Sequence, residues 1–124
     1  MHKEILSSLN TPIIILDKDN LIKFVNPSLE EFMSLSKTIL INKNLIKFID
    51  PDSPLLMLVN RVRKSNNSLS EESLILSSKN FFQKEIKVNI IPVFEINDYV
   101  IIQLEELINS KKYFSHKIHE KITR

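Results

Sequence analysis

LDKDNLIKFVNPSLEEF, residues 16–32, is the stretch whose reading decides the fold. The continuous apolar run Pro12 to Leu16 leads into it, Asp17 to Asn20 form a turn cluster, and Leu21 to Val25 follow as a second apolar run. Two short β-branched runs separated by turn residues predict a β-hairpin. Asn26 then stands as an N-cap, with Pro27 at the first helical position, where a missing N–H costs nothing. Leu29, Phe32 and Met33 recur at i, i+3 and i+4, so the helix is expected to bury that face. No nucleophile, metal cluster or phosphate loop lies in the stretch.

Working outward, His2 to Leu9 reads as a short helical opener with Ile5, Leu6 and Leu9 on one face. Ser36 to Ile49 is apolar but interrupted by Asn42 and Asn44, which suits two short helical turns. Ser53 is a second N-cap, again followed by proline, and Leu55, Leu58, Val59 and Val62 recur at helical spacing up to Arg63, Lys64 and Ser65. Basic residues there suit the helix dipole. Beyond this helix the period changes. Ser73 to Ser77 reads as a strand, and Glu85 to Ile90 alternates strictly, with Ile86, Val88 and Ile90 on one side. Tyr99 to Leu104 is a further apolar strand, and Pro92 should mark a bulge or an edge-facing position. Two strands, several short helices and a three-strand meander make an α+β domain: a five-stranded antiparallel sheet with helices on one face.

The 124 residues suffice for one domain and an appendage. A charged fraction of 26% and an apolar fraction of 43% are ordinary for a globular chain. The longest apolar runs fall short of a membrane span, and the N-terminus lacks a basic-then-apolar signal pattern, so a cytoplasmic location without membrane contact is expected. Cysteine is absent, which excludes disulfides, thiolate nucleophiles and Cys-ligated zinc. The net charge of +2 is uneven. From Lys111 onward there are five Lys/Arg and one acid, while the rest carries twelve bases and fourteen acids. The body is therefore no polyanion binder, and a nucleic-acid partner is not expected. Glycine is also absent, so positive-φ positions must fall to Asn and Asp, and Asn20, Asn42, Asn66, Asn67, Asn80 and Asn97 lie where turns are expected.

Asp17-Lys18-Asp19-Asn20-Leu21-Ile22-Lys23-Phe24-Val25-Asn26-Pro27 resembles the D-x-(D/N)-G-x-I-x-x-x-N-x-A stretch of PAS domains, with Asn20 in the place of the usual glycine. Ile90-Ile91-Pro92-Val93 is similar to the family's proline-bearing strand before its last hairpin. Leu104-Glu105-Glu106-Leu107 replaces the Asp-Ile-Thr trio that often closes the domain. The resemblance implies a division into a cap helix at residues 1–10, a PAS domain at 11–107 and a C-terminal signalling helix at 108–124. Ile5-Leu6-Ser7-Ser8-Leu9-Asn10-Thr11-Pro12 and the basic C-terminal segment narrow the resemblance to the sensor region of nitrogen-regulatory, NtrB-type histidine kinases. It implies a sensory and dimerisation module of a two-component kinase whose kinase core is absent from this chain. A PAS module of a transcription activator or a cyclic-dinucleotide enzyme, or a small α+β enzyme with an apolar cavity, are the alternatives.

Candidate sites are few. An apolar pocket between the 55–62 helix and the inner sheet face would be lined by Phe24, Phe48, Leu58, Val62, Leu76 and Ile90 and could take an unknown small molecule, although such stripes more often form plain core. Haem-binding relatives use a histidine near the long helix and flavin photosensors a cysteine; Ser53 to Asn67 hold no histidine and the chain no cysteine, so no cofactor is expected. His116 and His119 lack further ligands for a metal. His119-Glu120 lacks the proline and residue order of a phosphoacceptor. Asp50, Asp52, Glu71, Glu72, Glu105 and Glu106 form no nucleophile–base–orienter set, so no catalytic residues are assigned and the chain alone is not expected to be an enzyme. Leu107, Phe114, Ile118 and Ile122 follow at spacings of seven, four and four, close to the seam of a short parallel coiled coil, which predicts a homodimer.

Overall fold

The structure, a computed structural model, describes residues 10–93, 95 and 98–107. The expected opener up to Leu9 and the helix expected at 108–124 lie outside the described residues. Five strands form one antiparallel sheet: β1 (Ile13–Leu16), β2 (Ile22–Val25), β3 (Leu69–Ser78), β4 (Phe81–Val93) and β5 (Tyr99–Glu106). Their spatial order is β2-β1-β5-β4-β3, so the N-terminal strand lies beside the C-terminal one at the sheet's centre. Between β2 and β3 run α1 (Pro27–Met33), α2 (Lys37–Leu40), a 3-10 turn at Leu45–Lys47, and α3 (Pro54–Ser65).

Asn26 explains why the opening stretch is so patterned. Its side chain is fully buried, and its Oδ1 accepts hydrogen bonds from Leu29 N, capping α1, and from Ile13 N, at 3.0 Å each. Its Nδ2 donates to Thr11 O at 2.8 Å. One amide thus joins the start of β1 to the start of α1, satisfying backbone donors that burial would otherwise strand. Ser53 does the simpler half of this for α3, accepting from Leu55 N at 3.2 Å.

The helices cover one face of the sheet. Leu29, Phe32 and Met33 of α1 and Leu55, Leu58, Val59 and Val62 of α3 join Ile14, Leu16, Leu76, Ile86, Val88, Ile90, Val100, Ile102 and Leu104 in one buried cluster. Alternation along β4 and β5 places the other parity, including Ile91 and Ile101, on the opposite face, where these residues pair in register and are half-buried. Leu107 N donates to Glu85 O, so odd-numbered β4 residues turn their backbone groups toward β5. Pro92 therefore aims its missing donor toward β3, which begins only at Leu69, opposite Ile90. The expected edge-facing proline is realised at the end of the neighbouring strand.

Left-handed backbone falls at Asn20, Ser34, Asn42, Asn66 and Asp98 among the described residues, with φ between 57° and 64°. Three of these are the expected asparagines. Asn80 sits in the β3–β4 turn without a positive φ, and Asn97 lies outside the described residues. Ser34, which closes α1, was not expected. Its backbone N–H bonds Glu30 O and Glu31 O, so the helix-ending bonds hold a residue that lacks asparagine's tolerance for this region.

Candidate functional site

The apolar stripe is mostly brought together. Leu58 and Val62 on α3 and Leu76 and Ile90 on the sheet are all buried in the main cluster, and Phe48 packs half-buried against it. Phe24 stands apart. It pairs with Ile15 across the β1–β2 ladder, while the core residue Ile14 pairs with Val25, so Phe24 faces away from the cluster. The physical reason is a register shift: Leu16 pairs with Ile22 but Ile15 with Phe24, which inserts Lys23 as an extra residue. That bulge lets Ile22 and Val25 both point inward and turns Phe24 out. Phe24 instead lines an open cleft of about 620 Å³ with Pro27, Thr38 and Ile41 along the sheet's β2 edge.

A second open cleft, about 560 Å³, lies where the chain enters and leaves the sheet. Thr11 and Pro12 line it from one side and Leu104, Glu105 and Glu106 from the other, and Pro12 O accepts from Leu104 N at 2.9 Å. Lys84 reaches across its floor. Its Nζ donates to Phe32 O at 2.9 Å and sits 4.4 Å from the Phe32 ring centroid and 4.5 Å from that of Phe81. The rings meet edge to face with centroids 5.6 Å apart, and Glu106 approaches the ammonium at 3.6 Å. An ammonium over two rings with one carbonyl acceptor is held chiefly by ring quadrupole and hydrogen bond. The half-exposed ion pair adds little.

Sequence reasoning assigned Lys84 no role. Its signal was present: in β4 it shares parity with Ile86, Val88 and Ile90, so a charge occupies a core-facing position at the open end of the strand. The result is that Glu106, the last residue of β5, is tied through Lys84 to α1. Leu107 is half-buried just beyond, whereas Phe114, Ile118 and Ile122, like His116 and His119, lie outside the described residues. No group of three or more His, Cys, Asp or Glu among the described residues is placed to hold a metal ion, and no described helix is long and apolar enough to cross a membrane.

The only clear electrostatic perturbation among the described groups is at Arg63 on α3. Burial lowers its affinity for the proton, and the carboxylates of Asp98, Asp17 and Asp19 partly offset this. A guanidinium starts so far above neutrality that it stays charged.

An antiparallel sheet with its first and last strands adjacent, helices on one face, and a cap asparagine bound to the first strand defines an α+β fold of the PAS type. The chain belongs to the PAS family: the family model described as PAS fold matches residues 1–106. It is 22% identical over 119 residues to the sensory histidine kinase/phosphatase NtrB of Azospirillum brasilense, covering 96% of this chain and 30% of that protein. It is 26% identical over 103 residues to NtrB of Rhizobium meliloti (strain 1021), covering 82% and 27%. Thus the chain spans under a third of the curated relatives it matches. Among solved structures, the PAS domain of nitrogen regulation protein NR(II) from Vibrio parahaemolyticus superposes with a TM-score of 0.74 at 18% identity, over 86% of this chain and 98% of that one. At that identity the likeness establishes the fold.

Proposed function

We propose that this chain is the sensory module of a bacterial sensor histidine kinase of the nitrogen-regulation type, working as a homodimer and passing a conformational signal from the PAS body at 11–107 to a kinase core through the segment at 108–124. The observation that carries the reading is the exit of the sheet. β5 runs through the centre of the domain, touches α1 through Glu106 and Lys84, and leaves beside the incoming chain. A displacement in the helices or sheet therefore reaches the C-terminal end of β5 without passing through a loop. The two NtrB relatives support the choice of output. Signal transfer of this kind needs a two-state element downstream whose populations the sensor biases.

The test is phosphate transfer from labelled ATP. A protein in which this chain is joined to a kinase core should label on histidine, while the 124-residue chain alone should not. Sedimentation at several concentrations should show the chain self-associating, and a Phe114→Asp, Ile118→Asp variant should weaken that association. Label on His119, or such a joined protein without histidine phosphorylation, overturns the reading, and a chain monomeric at all concentrations overturns the dimer.

A further inference from the structure

Arg63 stands in the last turn of α3, yet its side chain leaves the helix altogether. Nη2 donates to Asp17 O at 2.5 Å and to Asn20 Oδ1 at 2.7 Å, both in the β1–β2 turn. Nη1 donates to Asp98 O, at the turn that opens β5. Asn20 and Asp98 are both left-handed, with φ of 64° each, so the two acceptor turns are themselves held in unusual backbone conformations. Arg63 Nε is buried and finds no acceptor among the described residues. The half-buried side chain thus gives up solvent at Nε for what it holds at its tip. A planar fork suits this task, because it presents several donors in fixed directions.

Two of the three segments so joined have different places in the domain. α3 lays Leu58, Val59 and Val62 over the inner sheet face. β5 begins at Tyr99, one residue after Asp98, and its other end leaves the sheet at Glu106. We infer that Arg63 is a coupling residue, a guanidinium clamp that makes the C-terminal end of α3 and the start of β5 move as one unit, so that a shift of α3 is delivered to the strand that leaves the domain. The clamp rests on the sensory reading for its purpose but on geometry for its existence. Simple adhesion would stabilise the whole domain; a coupling must carry a disturbance from α3 to β5 and lose that ability when the fork is removed.

Native-state amide exchange on the 124-residue chain separates the two. Arg63→Met should speed exchange at residues 99–101 and 20–22 by about 10- to 100-fold, with less than about threefold change where Lys87 and Val88 pair with Glu105 and Leu104. Asn20→Gly keeps the left-handed backbone and removes one acceptor, so it should produce a smaller rise at the same places. Val59→Ala disturbs α3 from beneath and should speed residues 99–101 about fivefold with Arg63 present, less than about twofold in the Arg63→Met background, and by an intermediate factor in the Asn20→Gly background, where the bond to Asp98 O is kept. Equal increments of Val59→Ala in both backgrounds, a uniform rise across the domain, or no rise at all overturns the coupling. Should Arg63→Met fail to fold, the Asn20→Gly pair carries the same comparison. No signal or kinase core is needed, so failure here leaves the signalling reading to the phosphate-transfer experiment.

Discussion

Replacing Asn26 by alanine should cost the domain more than any ordinary helix cap. Among the described residues this fully buried side chain accepts hydrogen bonds from Ile13 N and Leu29 N and donates one to Thr11 O. Loss of the cap on α1 costs about 1 kcal/mol. Ile13 N belongs to a residue with no exposed surface, so leaving it unpaired adds about 1–3 kcal/mol. The sum is about 2–4 kcal/mol, and with a urea dependence of about 1–2 kcal/mol per molar the unfolding midpoint should fall by about 1–4 M. Asn26→Ser divides the sum, since a serine hydroxyl can cap Leu29 but is too short to serve Ile13 as well. It should recover about 1 kcal/mol of the loss. A loss below about 1 kcal/mol for Asn26→Ala would show that the buried donors find other partners, and the linchpin assignment would fail.

Ile90→Ala, which empties a fully buried site between α3 and the sheet, should cost about 2–5 kcal/mol by urea unfolding, and a loss under about 1 would mean the core there collapses freely. Asn66 ends α3 with φ 59°, so Asn66→Val should lose about 1–2 kcal/mol while Asn66→Gly stays near neutral; equal effects of the two would discount backbone conformation at that cap. Lys84→Met should cost about 1–2 kcal/mol through the Phe32 carbonyl and the two rings, whereas Glu106→Gln should cost under about 0.5. The reverse order would make the ion pair, not the rings, the anchor of the exit end.

Local patterns revealed those parts of the fold that depend on neighbours in sequence. The caps at Asn26 and Ser53, the helical spacing of Leu55 to Val62 and the alternation of Glu85 to Ile90 all survive in the structure because each encodes its own geometry. β3 was read too short. Leu69-Ser70-Glu71-Glu72 has no apolar alternation, yet Leu69 to Glu71 pair with Ile90 to Val88, and ladder bonds to β4 make a strand in which Leu69 packs half-buried against the core while the side chains of Ser70, Glu71 and Glu72 remain in water. Phe24 was misassigned because a regular strand would put it on the same face as Ile22, and the bulge at Lys23 leaves no mark in composition. Arg63 read as a dipole partner at a helix end. Its acceptors lie 35 to 46 residues away, a distance over which spacing carries no information.

The bond between Pro12 O and Leu104 N has a consequence for any longer chain that contains this domain. Neighbouring strands stand about 5 Å apart, so the incoming and outgoing leads are separated by little more than a single ladder spacing. Seen from outside, nearly a hundred residues form a closed loop hung on two adjacent points. The height of one lead relative to the other is also fixed. A slip of β1 by one residue along β5 would turn Ile14 and Leu16 out of the core together, so the leads keep their level for as long as the core stays packed.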